Sequence, residues 1–501
     1  MSPAMTSKIG AGLPLGPSEE TLRLFEALRI SPHGPQQVHA GIHNLEASNK
    51  LEKCPFLQSH PELRVVAERE SNARGYVRNF PMTISKAEGC TLLDTEGRRY
   101  LDFLGCAGTL ALGHNHPVIN EAISKSLTDL APQQTLDLCS TGKLDFLDQL
   151  YAMLPLAMKG YRVQFCGGSG SDCIDAAVKL CKIATGRSSV LCFHGGYHGM
   201  GQGPLAMMGN LGTKGPVAGL MPGVHFLPYP NNYRQPFGLS TEPGGSGDLA
   251  ILHYIDHLLK DDESGITKPA CVVLEVIQGE GGLNMISDWA LQELRRITKE
   301  NDVPLVVDEI QSGFCRSGRV FAFEHSGISP DVVTLSKAIG GGQPLACVVF
   351  RPELDKWKPA AHTGTFRGNG LAFAAGAAAM KYMRDTKLWE EAARKGQKLA
   401  KMLGEADCPY IANIRGCGLM LGIEVVDPKK PKAHGLPVPS GEIASETQAE
   451  CFRRGMLIER GGRQGAVLRP LAPLIVSDEE LEMGARILID AINMAGNLLS
   501  R

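Results

Sequence analysis

The chain has 501 residues, 43% of them hydrophobic and 21% charged, with a formal net charge of −2. That balance fits a soluble globular protein of two or three domains and excludes a disordered or fibrous one. Near-neutral charge without a long basic run leaves no footprint for nucleic acid or an anionic membrane surface, and no apolar stretch of ~20 residues could span a bilayer.

The first 70 residues carry clusters of Pro, Gly, Ser and Gln, with amphipathic stretches around Glu19–Ile30 and Val38–Leu51. They read as a partly flexible extension holding one or two short helices. No sustained apolar segment follows the start, MSPAMTSKIGAGLPLG, so a secretory signal is not expected and a cytoplasmic enzyme is the default. Fourteen cysteines show no CxxC spacing, and Cys181, Cys192, Cys271 and Cys347 lie inside apolar runs. Reduced core thiols are expected, with neither a metal site nor a disulfide framework.

Residues 71–134 form a second segment, in which TLLDTEGRRYLDF alternates on either side of Thr95-Glu96-Gly97 and predicts a β-hairpin. From 135 to 385 short apolar runs alternate with helical stretches: YRVQFCGG, SSVLCFHGG, ACVVLEVI, VPLVVDEI, DVVTLSKAIGGG and LACVVF. Val/Leu/Ile runs bounded by glycine are how strands buried on both faces read, so an α/β domain with a mostly parallel sheet is expected. The helical stretches are Asp172–Thr185, Trp289–Glu300 and Leu371–Asp385. Residues 386–501 read as a smaller α+β domain: two amphipathic helices around the strand-like GLMLGIEVV, then a helix capped by Ser477.

Open α/β sheets place ligands outside the carboxyl ends of their strands, and four segments put a reactive group there. In VQFCGGSGSD a strand runs through a glycine turn into a helix, and Gly170 and Ser171 precede amides suited to a phosphate. The turn matches neither GxxxxGKS/T nor GxGxxG, and any tight strand–helix turn uses glycine. FHGGYHGM sets Tyr197 in a loop, as a packing aromatic or as a ring to stack on a planar cofactor. VVDEIQSGF ends a strand on Asp308, followed by Glu309 and Gln311. A carboxylate there needs a positive partner or serves as a simple cap. DVVTLSKAIGGG delivers Lys337 past another strand, either as a solvated edge lysine or as a nucleophile. Gly340–Gly342 would let the backbone approach a bulky ligand. The 29 residues from Asp308 to Lys337 span one strand–connection–strand unit, so both can reach one crevice. Together the four segments suit pyridoxal 5′-phosphate (PLP), which needs a lysine, an anion pocket, an aromatic face and a carboxylate at the pyridine nitrogen.

At this point the sequence resembles the class III aminotransferases of PLP fold type I across about residues 75–490, most strongly in VVDEIQSGFCRSGRVFAFEHSGISPDVVTLSKAIGGGQPL. The resemblance implies that Lys337 is the Schiff-base lysine and Asp308 the partner of the pyridine nitrogen. Gln311 would lie near the ring's 3-oxygen and Tyr197 on its face. Gly170 and Ser171 would hold the phosphate with Thr365 of HTGTFRGN, which reaches in from the neighbouring subunit of a homodimer. Glu280 of EVIQGEGG would gate Arg469 of GAVLRPLAPLIV, the carboxylate-binding arginine. Within the class, CAGTLALGHNHP, MPGVHFLPYP, HTGTFRGN and IERGGRQGAVLRPLAPLI are most similar to the diaminobutyrate–2-oxoglutarate group. That implies exchange between L-2,4-diaminobutyrate with 2-oxoglutarate and aspartate 4-semialdehyde with glutamate. Three departures stand out: Gly168 in place of proline, Ile174-Asp175 in place of Glu-Ala, and an extension longer than this group generally carries.

Other readings stay open within the cofactor class: another amine donor such as ornithine, GABA or lysine, or a fold-sharing decarboxylase, aminomutase or racemase. A nicotinamide dehydrogenase lacks its GxGxxG here, and a non-catalytic scaffold would not need the Asp308/Lys337 pair.

Overall fold

The computed structural model describes residues 61–231 and 233–500. The expected helices around Glu19–Ile30 and Val38–Leu51 lie outside them, and a helix over Pro61–Arg69 begins the described chain. Fourteen strands follow in chain order: β1 (Ile84–Glu88), β2 (Thr91–Asp94), β3 (Arg99–Phe103), β4 (Arg162–Phe165), β5 (Val190–Phe193), β6 (Val224–Leu227), β7 (Cys271–Leu274), β8 (Leu305–Asp308), β9 (Val332–Leu335), β10 (Cys347–Phe350), β11 (Ile411–Cys417), β12 (Met420–Val425), β13 (Met456–Gly461) and β14 (Val467–Arg469).

They form two sheets of seven, and the first runs β4-β10-β9-β8-β7-β5-β6. Only β10 runs against its neighbours; β9, β8, β7, β5 and β6 pair in parallel. Every residue of β5, β7, β8, β9 and β10 is buried. Helices on both faces exclude water, so the alternation of a half-solvated strand is lost and continuous apolar runs remain. The expected mostly parallel α/β sheet is present. The strand-reading missed β6, a half-buried edge strand carrying His225.

The second sheet, β1-β2-β3-β13-β14-β12-β11, draws strands from both ends of the chain, with β3 and β13 joined in parallel. The hairpin around Thr95-Glu96-Gly97 is its β2–β3 corner, where Asp94 accepts from the amides of Glu96 and Arg98 and Gly97 takes φ +82°. Helix starts fall earlier than the apolar periodicity marks them. The helix expected from Asp172 spans Gly170–Thr185 behind an N-cap at Ser169, and Ser440 starts Gly441–Arg453. Ser477 caps Asp478–Leu499 through a capping box with Glu480, as the acidic first turn foretold.

Candidate active site

Asp308 and Thr334 are register partners on the adjacent parallel strands β8 and β9, so Asp308 and Lys337 leave the sheet at the same carboxyl edge. Lys337 sits at φ +51°, a left-handed conformation that costs a residue with a Cβ about 1–2 kcal/mol. Burial pushes its amine down to about 8; Arg469 adds to that fall, while the carboxylates of Glu280, Asp308 and Glu275 oppose it. The neutral, nucleophilic form is therefore more accessible near physiological pH than in a solvated lysine.

Among the glycines after Lys337, Gly341 is required by packing. A Cβ on Gly341, at φ +58°, would stand 2.7 Å from the Ala375 carbonyl oxygen. Gly342 lies at φ +90°.

Asp308 is only 5% exposed and is fixed on three sides. His198 Nδ1 lies 2.8 Å from Oδ2, while the Ile310 amide (3.0 Å) and the Thr334 hydroxyl (3.3 Å) donate to Oδ1. Burial works to strip the proton from His198, but the hydrogen bond and charge of Asp308, with Glu275 behind it, raise its pKa overall. Glu275, at the end of β7, accepts from the Tyr197 amide and the Gly279 amide, both at 2.9 Å. It thereby ties the Tyr197 loop to the Glu280 loop, and burial lifts its own carboxyl to about 7. Sequence reading placed His198 in the loop after β5 without a role of its own, and missed Glu275, which directly follows β7.

Gln311 donates from Nε2 to the Ala107 carbonyl oxygen at 2.9 Å, while its buried amide oxygen has no partner. Gly170 and Ser171 open their helix, so their amides lack intrahelical acceptors. Ser171 Oγ accepts from the Gly201 amide at 2.9 Å, which draws the Tyr197–Gly201 loop against this helix end. A Cβ on Gly199 would stand 2.8 Å from that of Ser171, and one on Gly170 2.9 Å from Ile310 Cδ1. Tyr197 is half-buried, with a hydroxyl pKa raised by burial and then by Glu280, Glu275 and Asp308. These groups fit PLP: an amine for its aldehyde, free amides for its phosphate, a fixed carboxylate for its ring nitrogen and a buried amide for its ring oxygen.

Arg469 is 1% exposed, and its Nη2 lies 2.7 Å from Glu280 Oε1. Its Nε and Nη1 are buried without partners. Glu280 stays 42% exposed on its side chain, so one end of this ion pair is free to move while the other is locked in the sheet. Thr365 is the predicted residue that the fold of this chain does not bring here. It is exposed beside a cavity of about 680 Å³ lined by Asp137, Lys143, Gln164, His362 and Arg367.

Comparison with known proteins agrees with this geometry. A diaminobutyrate–2-oxoglutarate aminotransferase of Rhizobium meliloti is 46% identical over 92% of this chain and 97% of its own length. With so little of the chain unmatched, part of the first 70 residues has a counterpart in that relative, which shortens the expected departure. The Haemophilus influenzae protein of that name is 48% identical over 82% of this chain and 90% of its own. Among solved structures, a PLP-bound amine transaminase from an uncultivated Pseudomonas species superimposes with a TM-score of 0.75 at 25% identity, covering 85% of this chain and 97% of that one. The aminotransferase class-III family model matches residues 72–492. The chain belongs to the class III aminotransferases and is a PLP-dependent enzyme of that family.

Proposed function

We propose that the protein moves the terminal amine of L-2,4-diaminobutyrate to 2-oxoglutarate, reversibly giving aspartate 4-semialdehyde and glutamate. The two relatives bearing that activity's name, at 46% and 48% identity, support the substrate pair. The observation that carries it is the Glu280–Arg469 pair with two unpartnered guanidinium nitrogens. Bound PLP supplies an aldehyde that accepts the amino group and a ring that draws off electrons as the substrate C–H bond breaks.

Lys337 holds the cofactor and, once displaced by substrate, moves the proton at Nζ. Asp308 keeps the ring nitrogen protonated, Gln311 meets the ring oxygen, and Tyr197 lies on the ring face. Gly170 and Ser171 hold the phosphate, joined by Thr365 from the second subunit of a homodimer. Exposed Leu136, Leu138 and Phe366 around the Thr365 cavity give that second subunit an apolar surface to cover. The chain divides at about residues 70, 134 and 385 into an extension, the two parts of a small domain and the PLP domain between them. No described helix is long and apolar enough to cross a membrane, and we place the enzyme in the cytoplasm.

Arg469 meets a substrate carboxylate with Nη2, freed when Glu280 swings away, together with the unpartnered Nη1 or Nε; with Glu280 closed, its charge is cancelled. Arg469→Ala should therefore damage the glutamate half-reaction far more than the diaminobutyrate one, by roughly 2–5 kcal/mol. Single-turnover absorbance of each half-reaction tests this, and equal damage to both would sink the gating role.

A further inference from the structure

Arg469 has a second carboxylate beside it. Glu459 and Arg469 are register partners across β13 and β14, and Glu459 Oε1 stands 3.6 Å from Nη2, beyond hydrogen-bond length. Glycine at 461, on the same strand face as Glu459, leaves room for the guanidinium: a Cβ there would lie 3.1 Å from Arg469 Nε. The Tyr76 hydroxyl donates to Glu459 Oε2 at 3.0 Å from an early segment of the described chain. Glu459 is 8% exposed. It accordingly cannot rely on water to hold its charge.

With Glu280 closed, one guanidinium faces two carboxylates and the cluster is one negative charge in excess. The Glu280–Arg469 pair is the neighbour common to both sides: Lys337 feels Glu280 and Arg469, while Tyr76 feels Glu459, Glu280 and Arg469.

A diamino acid reacting through its terminal amine carries a second ammonium at the far end of its chain, whereas an ω-amino monocarboxylate carries none there. Resting on the reading above that the donor is a diamino acid, we propose that Glu459, positioned by Tyr76, receives this second ammonium. It thereby selects diamino acids over ω-amino monocarboxylates. Burial and Glu280 hold the Glu459 carboxyl above the usual range against the pull of Arg469 and Tyr76, and an ammonium at Oε1 would relieve that.

The test compares L-2,4-diaminobutyrate with 4-aminobutyrate, which has the same chain and no second ammonium, on the cofactor-loaded enzyme. Glu459→Gln should lose about 10- to 100-fold in kcat/KM on diaminobutyrate, the worth of a charge-assisted hydrogen bond. The loss should lie mainly in KM and should exceed any loss on 4-aminobutyrate. Tyr76→Phe should shift the preference the same way by a smaller factor. Equal loss on both amines, or an unaltered preference, overturns the proposal. If Glu459→Gln fails to fold or load cofactor, Tyr76→Phe decides alone, and an unaltered preference there overturns it equally. A wild type inactive on diaminobutyrate would instead overturn the substrate reading. Ornithine against 5-aminovalerate then tests Glu459 separately, and a preference independent of Glu459 there overturns the inference as well.

Discussion

Asp308 is held by an imidazole, an amide and a hydroxyl, and none of these can rotate away without breaking buried contacts. Replacing it by Asn keeps the shape and removes the charge that its proposed role sets opposite the ring nitrogen. We expect Asp308→Asn to bind PLP and lose about a hundredfold or more in turnover, as removal of one fixed charge-stabilising group does. A variant with near wild-type kcat would remove Asp308 from that role. Both carboxylate and lysine were legible because each comes at the end of a short, mostly apolar strand. His198 was not: its partner lies 110 residues away, and a histidine two residues past a glycine pair has no local signature. Glu459 was hidden for the same reason, since its partners come from opposite ends of the chain.

Among the elements, the turn after β9 shows how much conformational demand one site can concentrate. Lys337, Gly341 and Gly342 all have positive φ. Gly341→Ala would force a Cβ to 2.7 Å from the Ala375 carbonyl oxygen in the helix Gly370–Asp385. A cost of about 1–3 kcal/mol follows. The variant should melt several degrees lower and retain less cofactor, as differential scanning fluorimetry and the visible absorbance would report. An unchanged melt and full loading would mean the turn has slack that the packing does not show. Glycine runs of this kind announce a special backbone in the sequence, but not whether a ligand or a neighbouring helix demands it. Here the helix does.

Across the whole molecule, shared sites make a sharp prediction. If Thr365 serves the neighbouring subunit, a mixed dimer of Lys337→Ala and Thr365→Ala protomers contains one intact site, whereas neither homodimer does. The mixed dimer, isolated after co-expression, should recover PLP absorbance and activity toward half of wild type; no recovery would place the phosphate within one protomer. Stability should also vary with pH through Glu275 and Glu309, both buried and both lifted to about 7 by burial. Between an unfolded value of ~4.3 and about 7, the folded chain holds more protons than the unfolded one. Stability therefore falls as pH rises through that window and levels off above it. Glu309→Gln should flatten part of this slope in melting curves taken from about pH 5 to about pH 8, and an unchanged slope would count against it.

The sequence by itself determined the parallel sheet, the strand-end positions of Asp308 and Lys337, and the capping of the last helix. Each follows from short-range rules: strands buried on both faces are apolar throughout, and a serine before an acidic turn satisfies free amides. Only the tertiary structure decided that strands from residues 84–103 and 411–469 share one sheet, that Glu275 ties two loops, and that Arg469 faces two carboxylates. Those contacts join separate strands and loops, fixed by packing and charge in three dimensions, and no local pattern encodes them.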